Sequence, residues 1–219
     1  MHPIDLESPM TGKLSSARGA VFRFWLILAV VAVNFIGCAP NDRQVKFYLL
    51  QPASPSAVRG VTEAQGSGVV GLGPVEMPAY LDRPQMVTGN PGAELQLAEY
   101  HRWAEPLKDT ITRVLTENVG LWLPSRNVIA FPWNRAITPD YQVEVKISRF
   151  QAGADGVCEL KADWTILRHN KPVMLNTFQT STAAVGSDFA AKVAAQSQAL
   201  AKFSQTLAIA LQELGDFQK

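Results

Sequence analysis

The stretch YQVEVKISRF, residues 141–150, alternates apolar and polar side chains with a period of two. Its odd-numbered residues from Tyr141 to Ile147 are apolar or aromatic, which is typical of a strand with one buried face. The next segments, GVCELKADWTILR (156–168) and PVMLNTFQTSTAAV (172–185), continue this pattern. Three consecutive strands separated by short turns predict an antiparallel meander.

Upstream of the meander the sequence predicts shorter strands and a helix. Strand-like segments are VKFYLLQP, SGVVGLGPVEMP, YLDRPQMVTG, ELQLAEYH and NVIAFP. Pro106 opens a helical stretch whose apolar residues, from Leu107 to Leu121, recur every three or four positions. The sum is one α/β domain with about five to seven strands in a mixed, largely antiparallel sheet and two main helices.

The second main helix is the C-terminal stretch SDFAAKVAAQSQALAKFSQTLAIALQEL (187–214). Ser187 or Asp188 can cap its first turn. Its large apolar residues form a stripe that predicts packing on the sheet. A coiled coil with a partner is the alternative, but Gln196 interrupts the stripe and few heptads carry large apolar residues.

The N-terminal segment has the order of a secretory signal. Lys13, Arg18 and Arg23 precede the apolar run of residues 24–33, and small residues follow. This run is shorter than the about 20 residues that cross a bilayer, although an uncut membrane anchor is the alternative. Met10 is an alternative start to Met1, because it removes the acids and prolines that precede the basic part.

The apolar run ends in FIGC (35–38), which has the form of a bacterial lipoprotein signal. We therefore expect a lipoprotein signal peptide at 1–37, cleavage before Cys38 and acyl chains on Cys38, which anchor a lipidated tether (38–46) and a domain (47–215). Several acyl chains give stable anchoring. Ala39 after the cysteine favours the outer membrane, facing the periplasm.

Charge and composition exclude several classes of function. The formal net charge is +1, so no basic excess is present to bind nucleic acid. The second cysteine, Cys158, is expected to be a small buried residue, which leaves no pair for a disulfide in the mature chain. GSGVVG (66–71) matches a dinucleotide fingerprint, but prolines forbid the helix that must follow it. No metal spacing or catalytic set is found, so we expect no cofactor, no metal and no enzymatic activity.

Two polar-aromatic segments, AYLDRP (79–84) and EYHRWAEPL (99–107), stand out. Each places charge beside a large ring and a proline. We expect either a structural brace, with Arg83 or Arg102 paired to Glu105 or Asp82, or a partner-docking surface, because Arg, Trp and Tyr are enriched at binding hot spots. The candidate residues are Tyr80, Asp82, Arg83, Pro84, Arg102, Trp103, Glu105 and Pro106.

The chain resembles the ABC-type transport auxiliary lipoproteins over nearly all of its mature length. The matching segments are FYL (47–49), GPV (73–75), YLDRPQMVT (80–88), RWAEPL (102–107), RVL (113–115) and FS (203–204). The resemblance implies a fold similar to the N-terminal domain of TolB. It also implies a non-catalytic outer-membrane lipoprotein of a lipid transport or membrane-integrity system, docking an MCE-domain protein that bridges the periplasm to its inner-membrane complex.

Two features stay open at this stage. The resemblance implies a possible homo-oligomeric ring, which no residue pattern supports. The alternative function is an envelope lipoprotein that directly binds or chaperones a lipid, a glycan or an assembling outer-membrane protein, and a deep apolar pocket favours it.

Overall fold

A computed structural model describes residues 44–57, 68–89, 94–123 and 127–214. The expected signal peptide, Cys38 and the first part of the tether lie outside these residues. The described residues form eight strands, two α-helices and one 3-10 turn, Pro55–Ala57. The strands are β1 Lys46–Tyr48, β2 Val70–Glu76, β3 Gln85–Thr88, β4 Gln96–Trp103, β5 Val128–Ala130, β6 Tyr141–Ala152, β7 Val157–Arg168 and β8 Lys171–Ala183. The helices are α1 Leu107–Trp122 and α2 Phe189–Glu213.

The predicted meander is confirmed, and it forms the longest part of the sheet. Strands β6, β7 and β8 pair antiparallel, with Val145 opposite Trp164 and Trp164 opposite Asn176. The alternating residues of β6 from Tyr141 to Ile147 are at most 2% exposed. The alternation of apolar and polar residues in β6 therefore corresponds to burial of one face of the sheet.

The other edge of β6 makes the sheet mixed. Strand β2 lies parallel to the first half of β6 and also parallel to β5. Strand β3 meets the far end of β6 at a single parallel pair, Thr88 with Ala152. Strands β3 and β4 then form an antiparallel pair, and β1 lies parallel to β4 at the edge. The described residues hold eight strands, one more than the upper number expected, and the three-residue strands β1 and β5 lie within the strand-like segments VKFYLLQP and NVIAFP.

Both helices pack on one face of the sheet and against each other. Asp188, one of the two predicted caps, accepts a hydrogen bond from the backbone N–H of Ala191 at 2.7 Å. The Phe203 ring is fully buried and stacks on Phe178 of β8, with 4.9 Å between the ring centroids. Burial of a side chain of this kind stabilises the fold by about 1.5–3 kcal/mol. The prediction that α2 packs on the sheet is confirmed, so its apolar stripe is not free for a partner helix.

The glycine-rich segment of β2 is a site of close packing. A Cβ atom on Gly71 would lie 2.7 Å from the Trp133 ring and 2.8 Å from Pro139. Gly73 has a φ of +118°, and the register of β2 against β6 shifts between Leu72 and Val75. The strand continues to Glu76 and is not followed directly by a helix, so the glycines of this strand accommodate a register shift and close packing.

Cys158 is fully buried in β7, as expected of a small apolar residue of the sheet. Burial, with a smaller effect of the neighbouring Glu159 carboxylate, raises the pKa of its thiol to about 12. Among the described residues, no helix is both long enough and apolar enough to span a bilayer.

Candidate docking cleft

The β3–β4 pair brings the two polar-aromatic segments together. Gln85 pairs with Arg102 in the sheet, and the Trp103 N–H donates to the carbonyl of Pro84 at 2.8 Å. The segments are separated by about twenty residues in sequence, and the antiparallel pairing alone makes them neighbours. Together they line a cleft of about 420 Å³. Its lining residues are Asp82, Arg83, Pro84, Trp103, Ala104, Glu105 and Pro106.

Six of the eight predicted site residues therefore line one cleft. The remaining two, Tyr80 and Arg102, lie close by in sequence but do not line it. Arg102 donates from Nε to the carbonyl of Glu99 at 3.3 Å. Whether these residues act as a brace, a docking surface or both stays a prediction. Their individual environments differ.

Trp103 and Tyr80 have the environment of structural residues. Trp103 is 6% exposed and belongs to the main hydrophobic core, so only its edge reaches the cleft. The Tyr80 hydroxyl donates to Oε1 of Gln151 at 3.0 Å, and Nε2 of Gln151 donates to the carbonyl of Gly89 at 3.1 Å. Burial, partly opposed by Arg149, raises the pKa of the Tyr80 phenol. These contacts hold the 79–84 turn against β6.

The cleft entrance at α1 has a different ion pair from the expected one. Glu105 lies 3.8 Å from Arg113, which also pairs with Glu117 at 3.2 Å. The Thr110 hydroxyl donates to Oε2 of Glu105 at 3.3 Å. The expected pairing of Glu105 or Asp82 with Arg83 or Arg102 is not formed among the described residues. Arg113, in the second turn of α1, contacts the Glu105 carboxylate instead.

The exposed pairs contribute little stability, about 0–1 kcal/mol each, since solvent screens them. Arg83 differs from these exposed charges, because its Nε atom is buried and has no hydrogen-bond partner among the described residues. Asp82 beside it is exposed. A buried donor without an acceptor costs free energy unless a ligand or partner supplies one. The cleft therefore contains two carboxylates, of Asp82 and Glu105, and one guanidinium, of Arg83, that is incompletely bonded.

A second concave surface was not predicted from the sequence. A groove of about 510 Å³ runs between the segment after β1 and the first half of α2. Its lining is uncharged and mostly apolar, with Phe47, Pro52 and Val193 beside several alanines of α2. The alanines are a visible sequence signal, but their position opposite residues 47–54 depends on long-range packing. Ser197 fixes that packing by accepting the N–H of Gln51 at 3.1 Å.

A ring cluster adjoins this groove. His101 stacks on Phe189 with 3.8 Å between centroids, and Nδ1 of His101 lies 2.9 Å from the Tyr48 hydroxyl. Burial first, and then the charges of Lys46 and Lys192, lower the pKa of the His101 imidazole.

No group of three metal-ligating side chains is found within the part of the chain that the structure describes. None of the described residues lining the docking cleft is Ser, Thr, Cys or His.

Comparison with known proteins identifies the class to which this domain belongs. The family of ABC-type transport auxiliary lipoprotein components matches residues 48–208, and the chain belongs to that family. It is thus an auxiliary lipoprotein of a transport system and associates with a membrane. The resemblance found in the sequence is confirmed.

Among curated proteins, the chain is similar to the intermembrane transport lipoprotein PqiC of Escherichia coli (strain K12). The identity is 26% over 155 residues, which cover 71% of this chain and 79% of that protein. The PqiC of Shigella flexneri matches with the same identity and coverage. Both comparisons therefore support a PqiC-like auxiliary lipoprotein.

Solved structures support the fold alone. A crystal structure of a Xanthomonas campestris protein has a TM-score of 0.62 at 20% identity, covering 77% of this chain and 98% of that one. A second crystal structure, of an uncharacterized protein, has a TM-score of 0.63 at 15% identity over 77% of this chain and 99% of that one. The mixed α/β domain is confirmed, while the likeness to the TolB domain stays a prediction.

Proposed function

We propose that this protein is a non-catalytic subunit of an MCE/ABC-type lipid transport or membrane-integrity system. Acyl chains on Cys38 anchor it to the outer membrane, and the domain faces the periplasm. Its docking cleft binds the periplasm-spanning MCE-domain component, which connects it to the inner-membrane complex. The observation that carries this proposal is the convergence of the two family segments, 80–88 and 102–107, on one solvent-open cleft.

The chemistry of the cleft supports recognition of a protein partner. Pro84 and Pro106 form rigid walls, and Asp82 and Arg83 provide one charge of each sign. A partner that donates to Asp82 and accepts from the Arg83 guanidinium would pair with both of these charges.

Co-purification from intact cells after mild crosslinking tests the docking role. We expect much less MCE-domain protein to be recovered with the Arg83→Glu variant, because the introduced carboxylate repels the partner group that accepts hydrogen bonds from Arg83. Lys171→Glu is the matched control, since Lys171 is an exposed cation at the start of β8 and does not line the cleft. Equal recovery with both variants, or no MCE or ABC component with the wild type, would count against the proposal.

Labelling with a radioactive fatty acid tests the anchor. The wild type is expected to incorporate the label and Cys38→Ser is not, because the acylation needs the thiol. Membrane fractionation of the labelled protein then separates outer-membrane from inner-membrane retention. Equal labelling of both proteins would refute acylation at Cys38.

Analytical ultracentrifugation of the purified lipoprotein tests the homo-oligomeric ring.

One observation favours the alternative function, in which the protein itself binds an envelope substrate. The groove beside α2 is uncharged and large enough for part of an acyl chain, which selects a lipid over a glycan. Ala194→Trp fills the groove, and Gln205→Trp places the same ring at an exposed α2 position outside its lining. Loss of binding of a fluorescent fatty acid in the first variant alone would support this function, and no binding by the wild type would remove it.

A further inference from the structure

Strand β8 has one edge that no other described strand covers. In the part of the sheet that the structure describes, β8 pairs with β7 alone, and with 13 residues it is the longest strand. The other two strands that end this sheet, β1 and β5, have three residues each. We call the side of β8 that faces away from β7 the outer edge. It is the longest unpaired edge of the described sheet.

The backbone groups at the outer edge follow from the hydrogen bonds at the end of β8. The Ala184 N–H donates to the Gly156 carbonyl at 2.9 Å, and hydrogen-bonded pairs alternate with non-bonded ones along an antiparallel ladder. The odd-numbered residues from Leu175 to Ser181 therefore direct their N–H and C=O groups away from β7. Accordingly, the Thr177 N–H donates to the Asn176 Oδ1 atom at 2.8 Å.

Most of the outer edge lacks the features that usually protect an edge strand from pairing. Prolines, charges and bulges are the common forms of protection. In β8 all three occur before Met174, as Lys171, Pro172 and the shift in register against β7. The ten residues from Met174 to Ala183 contain no proline and no charge. This length is sufficient for pairing with another strand of ordinary size.

Apolar side chains lie beside the outer edge on both faces of the sheet. Leu175 is 69% exposed and projects from the face opposite the helices. Met174 and Phe178 project from the helix face, where they pack against the core but stay partly exposed. A strand added to β8 covers all three side chains, and the burial of their apolar surface favours association.

We propose that the outer edge pairs, in antiparallel orientation, with the outer edge of a second copy of this chain. Among the described strands, only another β8 offers an unpaired edge of the same length. An antiparallel pair of identical strands is an isologous contact, so it closes with two copies. The outward N–H and C=O groups of each copy then bond to those of the other. This contact depends neither on the docking cleft nor on acylation of Cys38.

The charge pattern of β8 favours an identical strand over a charged one. Lys171 is the one charged residue of the strand, so the outer edge does not attract a partner through opposite charge. In antiparallel pairs centred on Leu175, Thr177 or Gln179, the two copies of Lys171 are at least eight residues apart along the ladder, or about 26 Å. Salt screens charges beyond about 8 Å, so these lysines do not oppose pairing.

Sedimentation equilibrium of the full lipidated protein in detergent micelles tests the contact over a series of protein concentrations. We expect the wild type to contain two copies. The double variant Leu175→Lys, Gln179→Lys places like charges opposite each other in all three of these registers, and its dimerisation should weaken by at least about tenfold. The matched control is Val185→Lys with Gln205→Lys, because both residues are exposed, lie outside β8 and receive the same charges.

A mixture of oppositely charged variants separates loss of pairing from misfolding. The lysine variant and the double variant Leu175→Glu, Gln179→Glu, mixed in equal amounts, are expected to form mixed pairs, because opposite charges then meet across the contact. Copies that carry different affinity tags show the mixed pairs by co-purification. A mixture that yields no mixed pairs would overturn the proposal.

Three other results would also refute the β8 contact. A wild type that sediments as one copy at every concentration would leave the outer edge to a strand of another protein. A lysine variant that associates as strongly as the control would remove β8 from the interface. A larger ring that the lysine substitutions do not disturb would support the ring of the proposed function and refute this contact, so the two proposals fail separately.

Discussion

Replacement of Trp103 by alanine distinguishes a structural role for this residue from a docking role. Trp103 is 6% exposed and packs in the main core at the end of β4. Removing such a ring leaves a cavity, and the free energy of unfolding should fall by about 3–5 kcal/mol. For a domain of this size, each kcal/mol shifts the melting temperature by about 2–4 °C, so the expected decrease is about 6–20 °C.

Urea denaturation followed by circular dichroism measures this change. The Trp103→Phe variant keeps most of the apolar volume and should lose less than the alanine variant. Arg102→Ala is the adjacent control, because its side chain makes one exposed hydrogen bond to the Glu99 carbonyl and should change stability by about 0.5 kcal/mol. A loss below about 1 kcal/mol for Trp103→Ala would refute the placement of Trp103 as a core residue.

Three further predictions concern other parts of the domain. Tyr80→Phe should lower the free energy of unfolding by about 1–3 kcal/mol in urea titrations, because it leaves Oε1 of the buried Gln151 without its donor; an unchanged midpoint would contradict this. Gly71→Ala should cost about 1–3 kcal/mol by calorimetry, since its methyl group meets the Trp133 ring at 2.7 Å; a gain in melting temperature would contradict it. The Cys158 thiol, with a pKa of about 12, should resist a maleimide reagent at mildly alkaline pH until urea unfolds the protein. Because the unfolded thiol loses its proton at lower pH than the folded one, its contribution to stability should decline as pH rises from about 9 toward 12.

The cleft combines residues with different roles. Trp103 and Tyr80 hold the two family segments in place, through core packing and a hydrogen bond to Gln151. Asp82 and Arg83 face the cleft with fewer internal contacts, and the buried Nε of Arg83 has no partner among the described residues. Brace and docking surface are thus compatible, because rigid residues position the charges that a partner would meet.

Local patterns in the sequence predicted the elements that have strong periodicity. The meander was predicted because the alternation in β6 and β7 indicates one buried face directly, whereas β8 is mostly exposed. Both helices were predicted from their apolar spacing, and Asp188 from its position before the first turn. The family was also evident from short segments, since YLDRPQ and RWAEPL carry unusual combinations of charge, ring and proline.

The pairing of distant segments was decided only by the tertiary structure. The parallel contacts of β1 with β4 and of β2 with β5 join strands that have no local signal for each other. Glu105 pairs with Arg113 because of the position of α1 after the end of β4, which the sequence does not indicate. The sequence by itself therefore determined the elements and the family, because these depend on neighbours along the chain. The cleft and the groove beside α2 depend on contacts between residues far apart in the chain, and these contacts form only when the whole core packs.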